Sequence, residues 1–185
     1  MMQPAKISRL GFAVVKLLIH GSNFFLMRRS KRWDDISFIG GHENERDSGK
    51  LSRSAYRELL EEVPTLRNPM NLKLVELTDS FCYGPIHSQS AEMLVGYELQ
   101  FFLVEFLDEP LAAIESLGRK SPNLLMRQGD LLGPSKYKMA GLVKLLADVL
   151  PNGLEGIPYS WPNDLANSVK PDRVKQLQLD LQLDM

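Results

Sequence analysis

With 185 residues, 44% of them apolar and 24% charged, the chain is long enough for one domain with a complete core, and its composition is that of a soluble globular protein. A formal net charge of −1 leaves no overall field to draw it to nucleic acid or an anionic membrane. A single cysteine, Cys82, excludes an internal disulfide and fits a reducing cytoplasm, while three scattered histidines argue against a structural zinc site.

Lys6 and Arg9 precede an apolar run from Leu10 to Ile19, a layout that needs testing against a secretory leader. Lys16 interrupts the run, and His20-Gly21-Ser22-Asn23 follows where a cleavage site would need small apolar residues. The run is therefore predicted as a strand, and no apolar stretch approaches the roughly 20 residues that span a bilayer. A cytoplasmic location is expected. Phe24 to Arg28 returns as the hairpin partner, and Arg28, Arg29, Lys31 and Arg32 form a basic run before Trp33. A short strand, Ile36 to Ile39, is expected to end at Gly40-Gly41.

After a polar stretch from His42 to Lys50, Ser52 is the expected N-cap of a helix over Ser54 to Glu62. Leu51, Ala55 and Leu59 would face the core, and Pro64 disfavours helical geometry at Val63, which sets the stop. Strands follow at Leu72–Leu77, Phe81–Tyr83 and Met93–Phe106, with a loop from Gly84 to Ser90. Cys82, on an apolar strand, reads as a small buried side chain. A short helix is predicted over Asp108–Gly118, and an amphipathic one over Tyr137–Leu150. From Pro151 onward, prolines and glycines break the pattern. Leu177, Leu179, Leu181 and Leu183 then alternate as in a strand, while Val174, Leu177 and Leu181 also fit a helix. The architecture is α+β, with a domain over residues 1–150 and an extension, 151–185, packed on the domain or on a partner.

The most informative stretch is Arg57-Glu58-Leu59-Leu60-Glu61-Glu62. Glu58, Glu61 and Glu62 stand at i, i+3 and i+4 and share a helix face, where like charges repel by a few tenths of a kcal/mol per pair. A divalent cation with oxygen ligands compensates that repulsion. A solvated face, with Arg57 and Glu61 paired at i, i+4, is the plainer reading. The strand and glycine loop upstream tip the balance toward a cradle for a metal-bound phosphate.

This order resembles the Nudix hydrolases, whose box reads G-x5-E-x7-R-E-U-x-E-E-x-G-U, with U apolar. Gly41 matches the opening glycine, and Arg57 to Glu62 matches the REUxEE core in full. Three departures stand out. Fifteen residues separate Gly41 from Arg57, two more than in the pattern. Asp47 stands at the first Glu's distance from Gly41, whereas counting back from Arg57 gives Gly49. Pro64 and Thr65 replace the closing glycine and apolar residue. The extra residues are assigned to the Ser48-Gly49-Lys50 bend.

The resemblance covers roughly residues 8 to 150 and implies an α/β/α sandwich with a mixed sheet. It implies Glu61 and Glu62 as principal ligands of Mg²⁺, or Mn²⁺. Glu58 would be a further ligand or the base that activates water, and the Gly41 carbonyl would complete the site. Arg57 would brace the acidic cluster, with Asp47, shorter than the family's Glu, bracing Arg57 less well. Some Nudix enzymes take a carboxylate from outside the box, and Glu92, Glu98 and Glu105 are candidates beside the plainer reading of solvated strand residues. Arg28 and Arg29 could contact phosphate or form a solubilising turn, and Trp33 could stack on a base or join the core. His42 and His87 read as polar surface.

The implied activity is Mg²⁺-dependent hydrolysis of a pyrophosphate bond in a nucleoside diphosphate linked to another moiety. The competing reading, drawn from the longer loop, Pro64 and the tail, is a Nudix-fold domain that senses a nucleotide or holds a partner without turnover. The substrate's identity is open, the charge argues against long RNA, and a homodimer through the tail's leucines is open.

Overall fold

A computed structural model describes residues 6–30, 34–67, 71–88, 93–110, 123–133 and 138–165. One sheet contains β1 (Lys6–Val14), β5 (Ile39–His42), β6 (Leu72–Glu76), β7 (Phe81–Ser88) and β8 (Met93–Phe106), in the order β5-β1-β8-β6, with β7 also on β8. β1 and β8 run parallel and the other pairs antiparallel, so the sheet is mixed. A second, antiparallel sheet joins β2 (Lys16–Ile19), β3 (Ser22–Arg29), β4 (Ile36–Ser37) and β9 (Asn123–Arg127). The helices are α1 (Leu51–Glu62), α2 (Gln128–Leu132) and α3 (Gly141–Val149). Among the described residues no helix is long and apolar enough to cross a membrane.

β1 and β8 lie at the centre and carry apolar residues on both faces, as buried parallel strands do. Ala13, Phe102 and Val104 pack with Leu51, Ala55 and Leu59 of α1. Phe12, Val14, Phe101 and Leu103 pack on the other side with Phe25 and Phe38, and with Val143 and Leu146 of α3. Helices thus cover opposite faces of the central strands, in the expected α+β sandwich.

Several boundaries differ from expectation. The run from Leu10 to Ile19 is two strands, parted at Val15 and assigned to different sheets. Because it is apolar on both faces, no change of pattern marks the switch. β5 runs through Gly40-Gly41 rather than ending there. α1 starts at Leu51 with Lys50 as a cap that makes no side-chain bond, so Ser52 lies inside the helix. β7 extends to Ser88 across an irregularity between Tyr83 and Ile86, where Gly84 takes φ 101°, and Cys82 is exposed. α3 begins only at Gly141, because Met139 bridges to Ile36 and backbone bonds join Ile36 to Lys138 and Ala140. The proposed helix from Asp108 falls mostly outside the described residues, as do the tail's leucines.

Residues 151–165 lie against the core, with Leu154, Ile157 and Leu165 buried. Their anchor is Lys16, only 2% exposed, whose Nζ donates to the carbonyls of Leu154 (3.1 Å), Glu155 (3.0 Å) and Ile157 (3.0 Å). Burial pulls the Lys16 pKa down, opposed by the charge of Glu155. Lys16→Met keeps the apolar stem and removes all three donors. It is expected to cost about 2 kcal/mol in urea unfolding. A loss within experimental error would show that water satisfies those carbonyls equally well.

Candidate active site

Three glycines let α1 and β5 approach β1 closely. A Cβ at Gly11 would strike the Leu51 carbonyl and the Ala55 nitrogen, both backbone atoms of α1. One at Gly40 would strike Phe12 and the Gly11 carbonyl, and one at Gly41 would fall on the Glu58 carboxylate. The double glycine therefore clears space within a strand. Gly41 gives Glu58 its place against the sheet.

Arg57 is the hub of the acidic helix. Its Nη2 donates to Asp47 Oδ2 (3.1 Å) and to the His42 carbonyl (2.8 Å), its Nε to Asp47 Oδ1 (3.3 Å), and its Nη1 to Glu58 Oε1 (2.6 Å). Asp47 is only 2% exposed and also accepts from the Asn44 backbone (2.9 Å) and the Ser54 hydroxyl (3.0 Å). Burial pushes its carboxyl up. The bonds from Arg57, Asn44 and Ser54 outweigh this and hold it below its ordinary value. Arg57 is raised in turn, foremost by Asp47 and, after the opposing effect of burial, by Glu58. Ser48 (φ 53°) and Gly49 (φ 75°) turn the chain back in left-handed geometry, and Asp47 meets Arg57 despite the longer spacing.

The three glutamates differ in their surroundings. Glu58 is held by Arg57. Glu61 is half-exposed, with Oε2 3.5 Å from Arg57 Nη1, so the i, i+4 pair exists but is loose. Glu62 Oε1 lies 2.9 Å from Arg28 Nη2, while the Glu62 carbonyl accepts from Asn123 Nδ2. Arg29 turns to Asp34 (2.8 Å) instead, and Trp33 lies outside the described residues. Among the described residues no three His, Cys, Asp or Glu side chains converge as a metal cage. The donors at hand are nonetheless all oxygens, which suits a hard divalent cation, and Glu61 offers the least engaged carboxylate.

Of the carboxylates outside the box, Glu98 lies across the ladder from Arg9, which bonds it at 2.8 Å and Glu43 at 2.7 Å. Arg9 also reaches the Gly49 carbonyl, tying this row to the box loop. The bond from Arg9, opposed by burial, holds Glu98 low, and the same bond raises Arg9. Glu105 pairs with Lys73 (2.7 Å), and Glu92 lies outside the described residues. His42 Nδ1 meets the Ser8 hydroxyl at 2.7 Å, while the His87 side chain is not described. Sequence reasoning missed Gly11, Arg9, Glu43, Ser54 and Asn123. A glycine within an apolar strand was the one available signal, for Gly11.

No family model matches the chain, and no curated protein matches it in sequence. Solved structures do resemble it. NrtR from Shewanella oneidensis superposes with a TM-score of 0.51 at 14% identity, over 76% of this chain and 62% of NrtR. The chain thus spans 62% of that relative's length. The Nudix domain of NrtR complexed with ADP ribose gives a TM-score of 0.36 at 14% identity, over 55% of this chain and 62% of that one. A MutT/Nudix family protein from Listeria innocua gives 0.44 at 13% identity, over 68% and 80%. With a mixed sheet between helices, Gly41 on β5 facing the Arg57–Glu62 helix, and this likeness to NrtR, the chain has the Nudix fold.

Proposed function

We propose that the chain is a Mg²⁺-dependent hydrolase of the pyrophosphate bond in a nucleoside diphosphate linked to another moiety, with Mn²⁺ able to replace Mg²⁺. One observation carries the reading. Arg57, braced by Asp47 and the His42 carbonyl, sets Glu58 against Gly41 and leaves Glu61 open on the same helix face. Glu61, Glu62, Glu58 and the Gly41 carbonyl would hold the cation. Once bound, it neutralises phosphate charge and acidifies a bound water. Glu58 would be either a further ligand or the base that accepts a proton from the attacking water. Arg57 is a positioning residue, since all three of its guanidinium nitrogens are bonded within the protein. Arg28 is assigned to a substrate phosphate, with Arg29 and Trp33 as further substrate contacts. The hydrolase domain is assigned to residues 1–150 in the cytoplasm, with 151–185 as an extension.

A second reading is favoured by the Arg28–Glu62 pair, which engages one of the three carboxylates. It is a domain that binds a nucleotide or a partner without turnover. The two separate in one assay of phosphate or nucleotide release from a panel of nucleoside diphosphate derivatives, ADP-ribose among them, with Mg²⁺ or Mn²⁺. Metal-dependent turnover is expected, and about a hundredfold less of it in Glu61→Gln. Nucleotide binding without turnover across the panel would establish the second reading.

A further inference from the structure

Glu62 is gripped twice from the second sheet. Arg28 on β3 and Asn123 on β9 stand directly opposite each other in the ladder. Both reach the C-terminal end of α1, Asn123 to the Glu62 carbonyl and Arg28 to the Glu62 carboxylate. The side chain of Glu62 is 18% exposed and that of Arg28 is 38% exposed, so the pair is partly withdrawn from water. Arg28 Nε is buried without a hydrogen-bond partner while its Nη2 holds Glu62. A buried donor left unpaired is a cost, so this is an incompletely satisfied position for a guanidinium with five donors.

Charge explains why it is occupied. Arg57 is committed to Asp47 as well as Glu58, so it is no full counter-ion for the acidic face. Among the described residues, Arg28 is the other guanidinium bonded to one of the three box glutamates. We infer that Arg28 is a built-in counter-ion of Glu62: it holds this carboxylate while no divalent cation is present and releases it when one is taken up. Its guanidinium then becomes available to a substrate phosphate oxygen. Loading of phosphate therefore follows loading of the cation. This rests on the metal site proposed above, and it assigns Arg28 two successive partners.

The test is Mn²⁺ titration of the full chain without nucleotide, read from the spin-resonance signal of free Mn²⁺. Arg28→Met is expected to bind Mn²⁺ about fivefold more tightly than wild type, because the cation no longer competes with an ion pair. Glu62→Gln should abolish that gain when combined with Arg28→Met. Arg29→Met, which removes a neighbouring charge paired elsewhere, should change affinity by less than about twofold. Arg28→Gln, neutral but still able to hydrogen-bond, repeats the measurement should the Met variant fail to fold. Equal or weaker binding in the Arg28 variants overturns the inference, as does a gain that survives Glu62→Gln, which would be a diffuse charge effect. Turnover in wild type without tightening in the variants sinks the counter-ion alone. Tightening without turnover sinks the hydrolase alone, and no Mn²⁺ binding by any form sinks both.

Discussion

Arg57→Ala is expected to destabilise the fold by about 3–5 kcal/mol, because it leaves the Asp47 carboxylate buried without its cation. Ser54 and the Asn44 backbone would remain as partners, yet neither carries charge. Asp47→Ala removes the other partner, and the double variant should lose less than the sum of the two. The sign of the pH dependence follows from the depressed Asp47 carboxyl. Its contribution is complete above the ordinary carboxylate range, near pH 4, and is lost as pH falls through the lower folded value. In Arg57→Ala the Arg57 hydrogen bond and charge no longer lower the Asp47 carboxyl, and protonation relieves the buried charge. The gap between wild type and variant in urea unfolding should therefore narrow on acidification. A gap of constant size from pH 7 to pH 3 would contradict this account of the brace.

Gly11→Ala is expected to cost about 3 kcal/mol or more, at the upper end for overpacking. The added methyl would meet the backbone of α1 at Leu51 and Ala55, which no rotamer change can clear. The whole helix would have to move off β1, and Glu58, Glu61 and Glu62 with it. Thermal unfolding and amide exchange along α1 would report the change. Gly96→Ala in β8 is the control, since its Cβ would meet only Ile7 at 3.9 Å, and a shift within about 0.5 kcal/mol is expected. Similar losses at both positions would show that glycine matters there for reasons other than the close approach.

The elements that were legible in the sequence are those whose signals are local. Pro64 sets the end of α1, Leu51, Ala55 and Leu59 mark its buried face, and β8 runs from Met93 to Phe106 as its β-branched and aromatic residues indicate. His20 and Gly21, both at positive φ, close the first hairpin as the turn residues suggest. Signals that depend on contacts between distant segments were not legible. Asn123-Leu124-Leu125-Met126-Arg127 has no β-branched residue, and only pairing with β3 makes it a strand. Ser54 looks like an ordinary helix residue until Asp47 folds back onto it. The Gly40-Gly41 pair announces backbone freedom, but its actual purpose, room for Glu58 and Phe12, depends on two other elements. In the site, residue types and their spacing on α1 could be read directly. The partners that hold Glu62 and Glu98 could not, because sequence distance hides them, and Asp47 as a brace for Arg57 came only through the resemblance.

The Lys16 anchor also bears on the order in which the chain can fold as it is made. Lys16 is synthesised before its acceptors, the first of which, the Leu154 carbonyl, follows 138 residues later. Until that segment leaves the ribosome, an ammonium placed near Phe25 has no carbonyls to receive it and stays hydrated. The β2–β3 hairpin is therefore made well before it is sealed, with the surrounding core closing only when translation has passed Ile157.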